Sequence, residues 1–173
     1  MEARRIRMPS FSTSSLVSPP VPPVGQRSLV CLVRGVRCAL PLEHVLETMR
    51  PLPIEPLASA PAFVLGVAIV RGEPVPVVDV GALLGSSEAT RPTRFVTLSI
   101  DGRSVALAVE GVVGVRALPL EAMGALPPLL RDVHGDAVAA LGTLDSKLLL
   151  TLRAARLVPE GALEAVASAR GGA

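Results

Sequence analysis

Residues 63–80 read Phe63-Val64-Leu65-Gly66-Val67-Ala68-Ile69-Val70-Arg71-Gly72-Glu73-Pro74-Val75-Pro76-Val77-Val78-Asp79-Val80. The run from Phe63 to Val70 is apolar almost throughout and rich in β-branched residues, the composition of a buried strand. It is far short of the roughly 20 residues that a membrane-spanning helix needs. Arg71-Gly72-Glu73-Pro74 is turn chemistry, with Gly72 free to take positive φ, and Val75 to Val80 is a second strand. Pro76 lacks an N–H, which points to an edge strand or a bulge. Asp79 closes the strand, and its carboxylate is placed to cap the short turn Gly81-Ala82-Leu83-Leu84-Gly85 that follows.

Upstream lies a second hairpin. Leu29 to Val33 and Val36 to Leu40 are apolar runs separated by Arg34-Gly35, a two-residue loop with Gly. That loop fixes the register, so Val33 faces Val36 and Cys31 faces Cys38. Between the two hairpins, residues 41–57 read as an irregular helical turn and a Pro-rich connection through Pro51, Pro53 and Pro56.

Beyond the polar linker Ser86 to Thr93 the same grammar returns. Val96 to Ile100 alternates apolar and polar, Asp101-Gly102 suits a type I′ turn, and Val105, Leu107 and Val109 return on one face. Val112 to Arg116 takes the place that Val45 to Met49 has in the first half. After a loop, Val138 to Leu144 and Lys147 to Leu152 flank Asp145-Ser146, with Gly142 in the place of Gly66. Two such units, about 28–85 and 93–158, bury little alone. The expectation is therefore an all-β chain of two small barrels sharing one core, with strands open to exchange between them. Pro159 to Arg170 reads as a C-terminal helix, with Leu163, Val166 and Ala167 on one face and Gly171 as its cap, within a last segment 159–173.

The 173 residues are half hydrophobic and 18% charged, and three Phe are the only aromatics. That leaves no stacking platforms for single-stranded nucleic acid. The net charge of +2 comes from the first 27 residues, which hold four Arg against one Glu. The remainder is near neutral and has no electrostatic footprint for nucleic-acid phosphates. Residues 1–27 also hold five Pro and five Ser, a composition that reads as a disordered tail. No apolar segment follows its arginines, so no signal peptide and a cytoplasmic location are expected, with no direct membrane insertion.

The chain carries no phosphate-cradling Gly-Lys loop, no Gly-x-Gly-x-x-Gly and no Gly-x-Ser-x-Gly. His44 and His134 have no evident partners, and Cys31 and Cys38 lack the second pair that a structural zinc site needs. Two reduced, buried thiols packed as small hydrophobes are expected, with no metal, no cofactor and no catalytic residue.

The stretch Phe63 to Val80, preceded by Ala60-Pro61-Ala62, resembles the signature of the CheW-like domain of bacterial chemotaxis coupling proteins. Ala39-Leu40-Pro41-Leu42-Glu43-His44-Val45-Leu46-Glu47 is similar to that family's first return strand and its Val-x-Glu turn. Asp101-Gly102-Arg103 and Val109-Glu110-Gly111-Val112 are similar to its second hairpin and Val-Asp-Gly-Val. The resemblance covers residues 28–158. It implies two five-stranded src-homology-3-like barrels around a shared core. It also implies a non-catalytic adaptor between the cytoplasmic tip of a methyl-accepting chemoreceptor and the regulatory domain of a CheA-like histidine kinase, at receptor clusters and with ring assembly open to it. Carried over, the receptor-facing positions are Val45, Glu47, Gly66, Arg71, Phe95 and Val112. Gly66 would admit a close backbone, and Arg71 would bond a receptor carboxylate bidentately. Gly72, Asp79 and Gly102 are structural positions.

Glu110 stands where the family usually has Asp, Thr151 and Arg153 where its second half often has Asp, and Leu65 where it is often polar. These departures keep open a divergent member with one of its two interfaces lost; an unrelated small β-barrel enzyme is the third reading. One expectation rests on composition alone. Deleting residues 1–25 should leave the melting temperature within about 2 °C of the full chain, as for an unpacked terminus; a larger fall in a calorimetric scan would show that the tail packs on the barrels.

Overall fold

The computed structural model describes residues 25–157, apart from 59, 89–90, 120–122 and 129–134. Residues 1–24 of the tail read over 1–27, His134 and the helix over 159–170 lie outside the described residues, whereas Gln26 and Arg27 at the tail's end already belong to the first strand.

Eleven strands are described: β1 (Gln26–Val33), β2 (Val36–Pro41), β3 (Val45–Met49), β4 (Val64–Val70), β5 (Glu73–Asp79), β6 (Arg94–Ile100), β7 (Arg103–Val109), β8 (Gly111–Leu118), β9 (Met123–Ala125), β10 (Val138–Leu144) and β11 (Lys147–Leu152). One turn of helix, α1 (Val80–Leu83), follows β5, and Asp79 caps it by accepting a hydrogen bond from the Ala82 N–H at 3.2 Å. Four hairpins close through two-residue turns: Arg34-Gly35, Arg71-Gly72, Asp101-Gly102 and Asp145-Ser146. All eight turn residues have positive φ, the primed geometry that follows the right-handed twist of paired strands. Because this geometry needs only two residues, β5 starts at Glu73, earlier than the four-residue turn read from the sequence.

The strands form two sheets. The six-stranded sheet has the order β8-β1-β2-β11-β10-β9, and the five-stranded sheet β3-β6-β7-β5-β4. Each sheet takes one hairpin from one half of the chain, β1–β2 in the six-stranded sheet and β6–β7 in the five-stranded sheet, and its other strands from the other half. Two ladders in each sheet are the seams that join the two contributions: the parallel β2·β11 and β5·β7, and the antiparallel β1·β8 and β3·β6. The two-sheet, nearly helix-free β architecture is the one read from the sequence, but one sheet has six strands, because Met123–Ala125 adds an edge strand to β10.

Two local expectations are corrected. Val45 to Met49, within the stretch read as irregular, is the edge strand β3, paired with β6. Pro76 lies on β5, which β4 and β7 flank. The missing N–H does no harm there, because the β7 ladder begins only at Val77.

Cys31 pairs with Cys38, as the two-residue loop requires. Both are fully buried in the core shared by the two sheets, with Leu40, Val78, Val96, Leu98, Leu107 and Leu150 among their companions. Smaller cores fill the two sheets separately. Phe95, Val77 and Ala106 anchor one; Val30, Ala39 and Leu149 anchor the other. Both thiols are pushed up to about 12, by burial and, at Cys38, also by Cys31 nearby. A thiolate is the reacting species, so neither cysteine should alkylate in the native protein at neutral pH. Mass spectrometry after iodoacetamide treatment should find both unmodified when folded and both modified in denaturant. Rapid native modification would contradict the burial, and a quantitative disulfide in cell lysate would contradict the thiol state.

Candidate functional site

The edges of the five-stranded sheet are β3 and β4, and two charged side chains join them. Arg71, at the first position of the β4–β5 turn, takes φ +52. L-residues avoid that region, and Asn, Asp or Gly is the usual occupant. From there its Nε donates to Glu47 Oε1 at 2.7 Å and its Nη2 to Glu47 Oε2 at 2.6 Å. This is the two-pronged arginine–carboxylate geometry. Glu47 stands on β3 just past a bulge, where Val45 faces Leu98 and Glu47 faces Thr97. Its backbone carbonyl accepts from Thr97 Oγ1 at 3.3 Å. The hydrogen bonds from Arg71 hold the Glu47 carboxyl below the usual carboxylate range, and those to Glu47 raise the guanidinium in turn. Glu47 therefore binds the pair with full strength at neutral pH and loses it only as acid protonates a depressed carboxylate. The Arg71 side chain is 78% exposed and Glu47 28%.

Exposed apolar residues lie beside both partners. Leu46 is the extra residue of the β3 bulge and is 58% exposed; Ile69, two residues before Arg71 on β4, is 61% exposed. Large aliphatic side chains held in water next to an ordered ion pair are the makings of a protein-binding surface. Neither residue stands out in the sequence. Leu46 looks buried by type, and only the bulge, which puts two β3 residues opposite one on β6, turns it outward.

The other positions carried over by resemblance fall elsewhere. Val45 and Val112 are half-buried and pack against the shared core, one from β3 and the other from β8, where Val112 faces Cys31. The next residues outward on β8, Val113 and Val115, are exposed. Phe95 is wholly buried inside the five-stranded sheet's own core, so it supports the surface from within and offers nothing to a partner.

Gly66 is also internal, and the backbone that approaches it belongs to the same chain. Glu55 and Val67 exchange two backbone hydrogen bonds of 2.8 Å, which seals the outer edge of β4. A Cβ on Gly66 would fall onto the Glu55 carbonyl oxygen and lie 2.8 Å from Ile54 Cγ2, at a φ of +142. Among the described residues no three His, Cys, Asp or Glu side chains gather where a metal could sit, and no helix is long and apolar enough to cross a membrane.

The family described as CheW-like domain matches residues 27–161. Protein FrzA of Myxococcus xanthus is 36% identical over 109 residues, 62% of this chain and 65% of FrzA, so the match spans a little under two thirds of that relative. Chemotaxis protein CheW of Rhizobium meliloti is 26% identical over 115 residues, 65% of this chain and 74% of that protein. The scaffolding protein TtCheW of Thermoanaerobacter tengcongensis has the same fold, with a TM-score of 0.71 at 19% identity over 80% of this chain and 96% of its own.

Because Gly66 lets the Glu55 crossing close, Gly66→Ala combines a forbidden φ with a backbone collision. It should cost about 2 kcal/mol or more in urea unfolding, the range of severe single-site strain. A loss under about 0.5 kcal/mol, the size of an ordinary surface change, would show that the crossing relaxes freely.

Proposed function

The chain belongs to the CheW-like domain family, and we propose that it is a non-catalytic scaffold of a chemosensory array, coupling the cytoplasmic tip of a chemoreceptor to a CheA-like histidine kinase at receptor clusters in the cytoplasm. The reading is supported by its likeness to a chemotaxis protein of Rhizobium meliloti and to the scaffolding protein TtCheW. The observation that carries the receptor side is the Arg71–Glu47 pair between two edge strands, with Leu46 and Ile69 exposed beside it.

A receptor tip is a hairpin of helices, and a helix docks by apolar anchors spaced along one face. Leu46 and Ile69 supply apolar contact, while the ion pair supplies orientation. Arg71 arrives already paired, which alters what it can do. It spends two of its donors on Glu47, and the planar guanidinium keeps others for an incoming carboxylate or carbonyl. The pair also holds the β4–β5 turn against β3, so the docking surface is ordered before a partner arrives, which reduces the entropy lost on binding.

Charge reversal separates recognition from folding. In Arg71→Glu two carboxylates face each other across the edge. The circular dichroism spectrum should persist and the melting temperature fall by only a few degrees, because both groups face water. Calorimetric titration with a soluble receptor-tip fragment should show affinity at least about tenfold lower. The double reversal Glu47→Arg with Arg71→Glu rebuilds an ion pair of opposite polarity. Recovery of affinity would assign the pair a positioning role, and no recovery would assign Arg71 a direct contact. Unchanged affinity in folded Arg71→Glu would remove this edge from the receptor surface.

A further inference from the structure

Among the described residues arginine occupies the first position of a type I′ turn twice. The second case, Arg34, carries the same device into the interior. At φ +51 it reaches from the β1–β2 turn of the six-stranded sheet to the end of β5 in the five-stranded sheet. There Nη2 donates to Asp79 Oδ2 at 3.2 Å, with the two side chains only 14% and 9% exposed. The neighbouring Gly35 N–H donates to Glu110 Oε2 at 3.1 Å, and the Glu110 N–H donates to the Leu32 carbonyl at 2.9 Å. Glu110 is the single residue between β7 in one sheet and β8 in the other. One turn is thus tied both to the end of β5 and to the point where the chain crosses between sheets.

The surroundings are shaped for this arginine. A Cβ on Gly81 would collide with Arg34 Nε and lie 3.0 Å from its Cγ and Cζ, so glycine there leaves the channel through which the side chain runs. Arg34 Nε is buried with no hydrogen-bond partner among the described residues. A turn that would accept Asn, Asp or Gly without strain tolerates that unmet donor. Turn formation therefore does not account for arginine here; the tie to Asp79 does. Two residues beyond Glu110, Val112 packs on the shared core, as Val45 does from the other sheet.

We propose that Arg34 is a positioning residue for the partner-facing surface: by tying the β1–β2 turn to Asp79 it holds the Gly35 N–H on Glu110 and so sets β8 against the five-stranded sheet, and with it the placement of Val112 relative to Val45. The proposal rests on the receptor-coupling reading for its consequence, though not for its geometry.

The test uses the full chain as Arg34→Met, which keeps the stem and removes the charge, Arg34→Lys, which keeps the charge, and Gly81→Ala, which displaces an intact arginine. Amide hydrogen exchange is followed at Gly35 and Ala82, and the receptor-tip fragment is titrated calorimetrically. Arg34→Met and Gly81→Ala should each speed exchange at both amides and weaken the fragment by about tenfold, with lowered melting temperatures but the chain still folded at the temperature of titration. Arg34→Lys should recover most of the affinity. Wild-type affinity in Arg34→Met, or equal losses in Met and Lys, would overturn the proposal, as would unfolding of both Arg34→Met and Gly81→Ala. If the wild type does not bind the fragment, the coupling reading fails; exchange then decides the positioning role alone, with unchanged rates at Gly35 and Ala82 overturning it.

Discussion

The core between the two sheets cannot be assigned to either of them, and the rest of the molecule depends on this. Among the described residues it holds 21 buried side chains, against seven and four in the cores inside the individual sheets. Small sheets have too much surface for their volume to be stable alone. Here neither sheet is even made from one continuous stretch, because β1–β2 completes the sheet of the second half and β6–β7 that of the first. Cutting the chain at the polar linker would therefore split both sheets rather than separate two domains. The shared core, the parallel seams and the tie at Arg34 are consequences of one exchanged topology.

That topology explains which parts of the fold the amino-acid order reveals. Hairpins are local, and a two-residue turn leaves one register, so the Cys31–Cys38 pairing follows from counting alone. The strand β3 is harder to see. Val45 to Met49 is short, carries Glu and Thr, and finds its partner β6 about fifty residues away. Its alternate residues are only half-buried, which blurs the period-two signal on which strand recognition depends. The strand β9, three residues of Met, Gly and Ala, has almost no such signal. The two parallel seams leave none, since nothing in a strand's own sequence names a partner in the other half.

The candidate surface was legible in a similarly uneven way. Resemblance picked out Glu47 and Arg71, but not that they bond each other, because 24 residues separate them and only the meeting of β3 and β4 brings them together. It placed Phe95 and Gly66 with the partner contacts, whereas their surroundings are internal: an aromatic filling a sheet's core and a glycine crossed by the Glu55 backbone. Such residues shape a binding surface without being on it. Leu46, Ile69 and Arg34 stayed hidden for the converse reason. Type alone reads an aliphatic side chain as core and a turn arginine as solvated, and only a bulge or a buried carboxylate reverses those expectations.

The two halves, although built alike, have not kept the same fittings. Superposing the parallel ladders sets Val78 opposite Leu107 in one sheet and Leu150 opposite Cys38 in the other, so Thr151 occupies the place of Asp79. Asp79 caps α1 and binds Arg34; Thr151 instead donates its hydroxyl to Met123 Sδ at 3.9 Å. A neutral hydroxyl offers an arginine a weaker hydrogen bond than a carboxylate does, without the charge. The β1–β2 turn accordingly has an arginine and the corresponding β6–β7 turn has Asp101 in the same left-handed position, where the local fit is good without a distant partner. Arginine at such turns thus coincides, in both of its occurrences, with a carboxylate on another strand that repays the strained φ. The two pairs differ in burial: the largely exposed Arg71 of the Arg71–Glu47 pair leaves guanidinium donors facing water, while the nearly dry Arg34–Asp79 pair joins the two sheets.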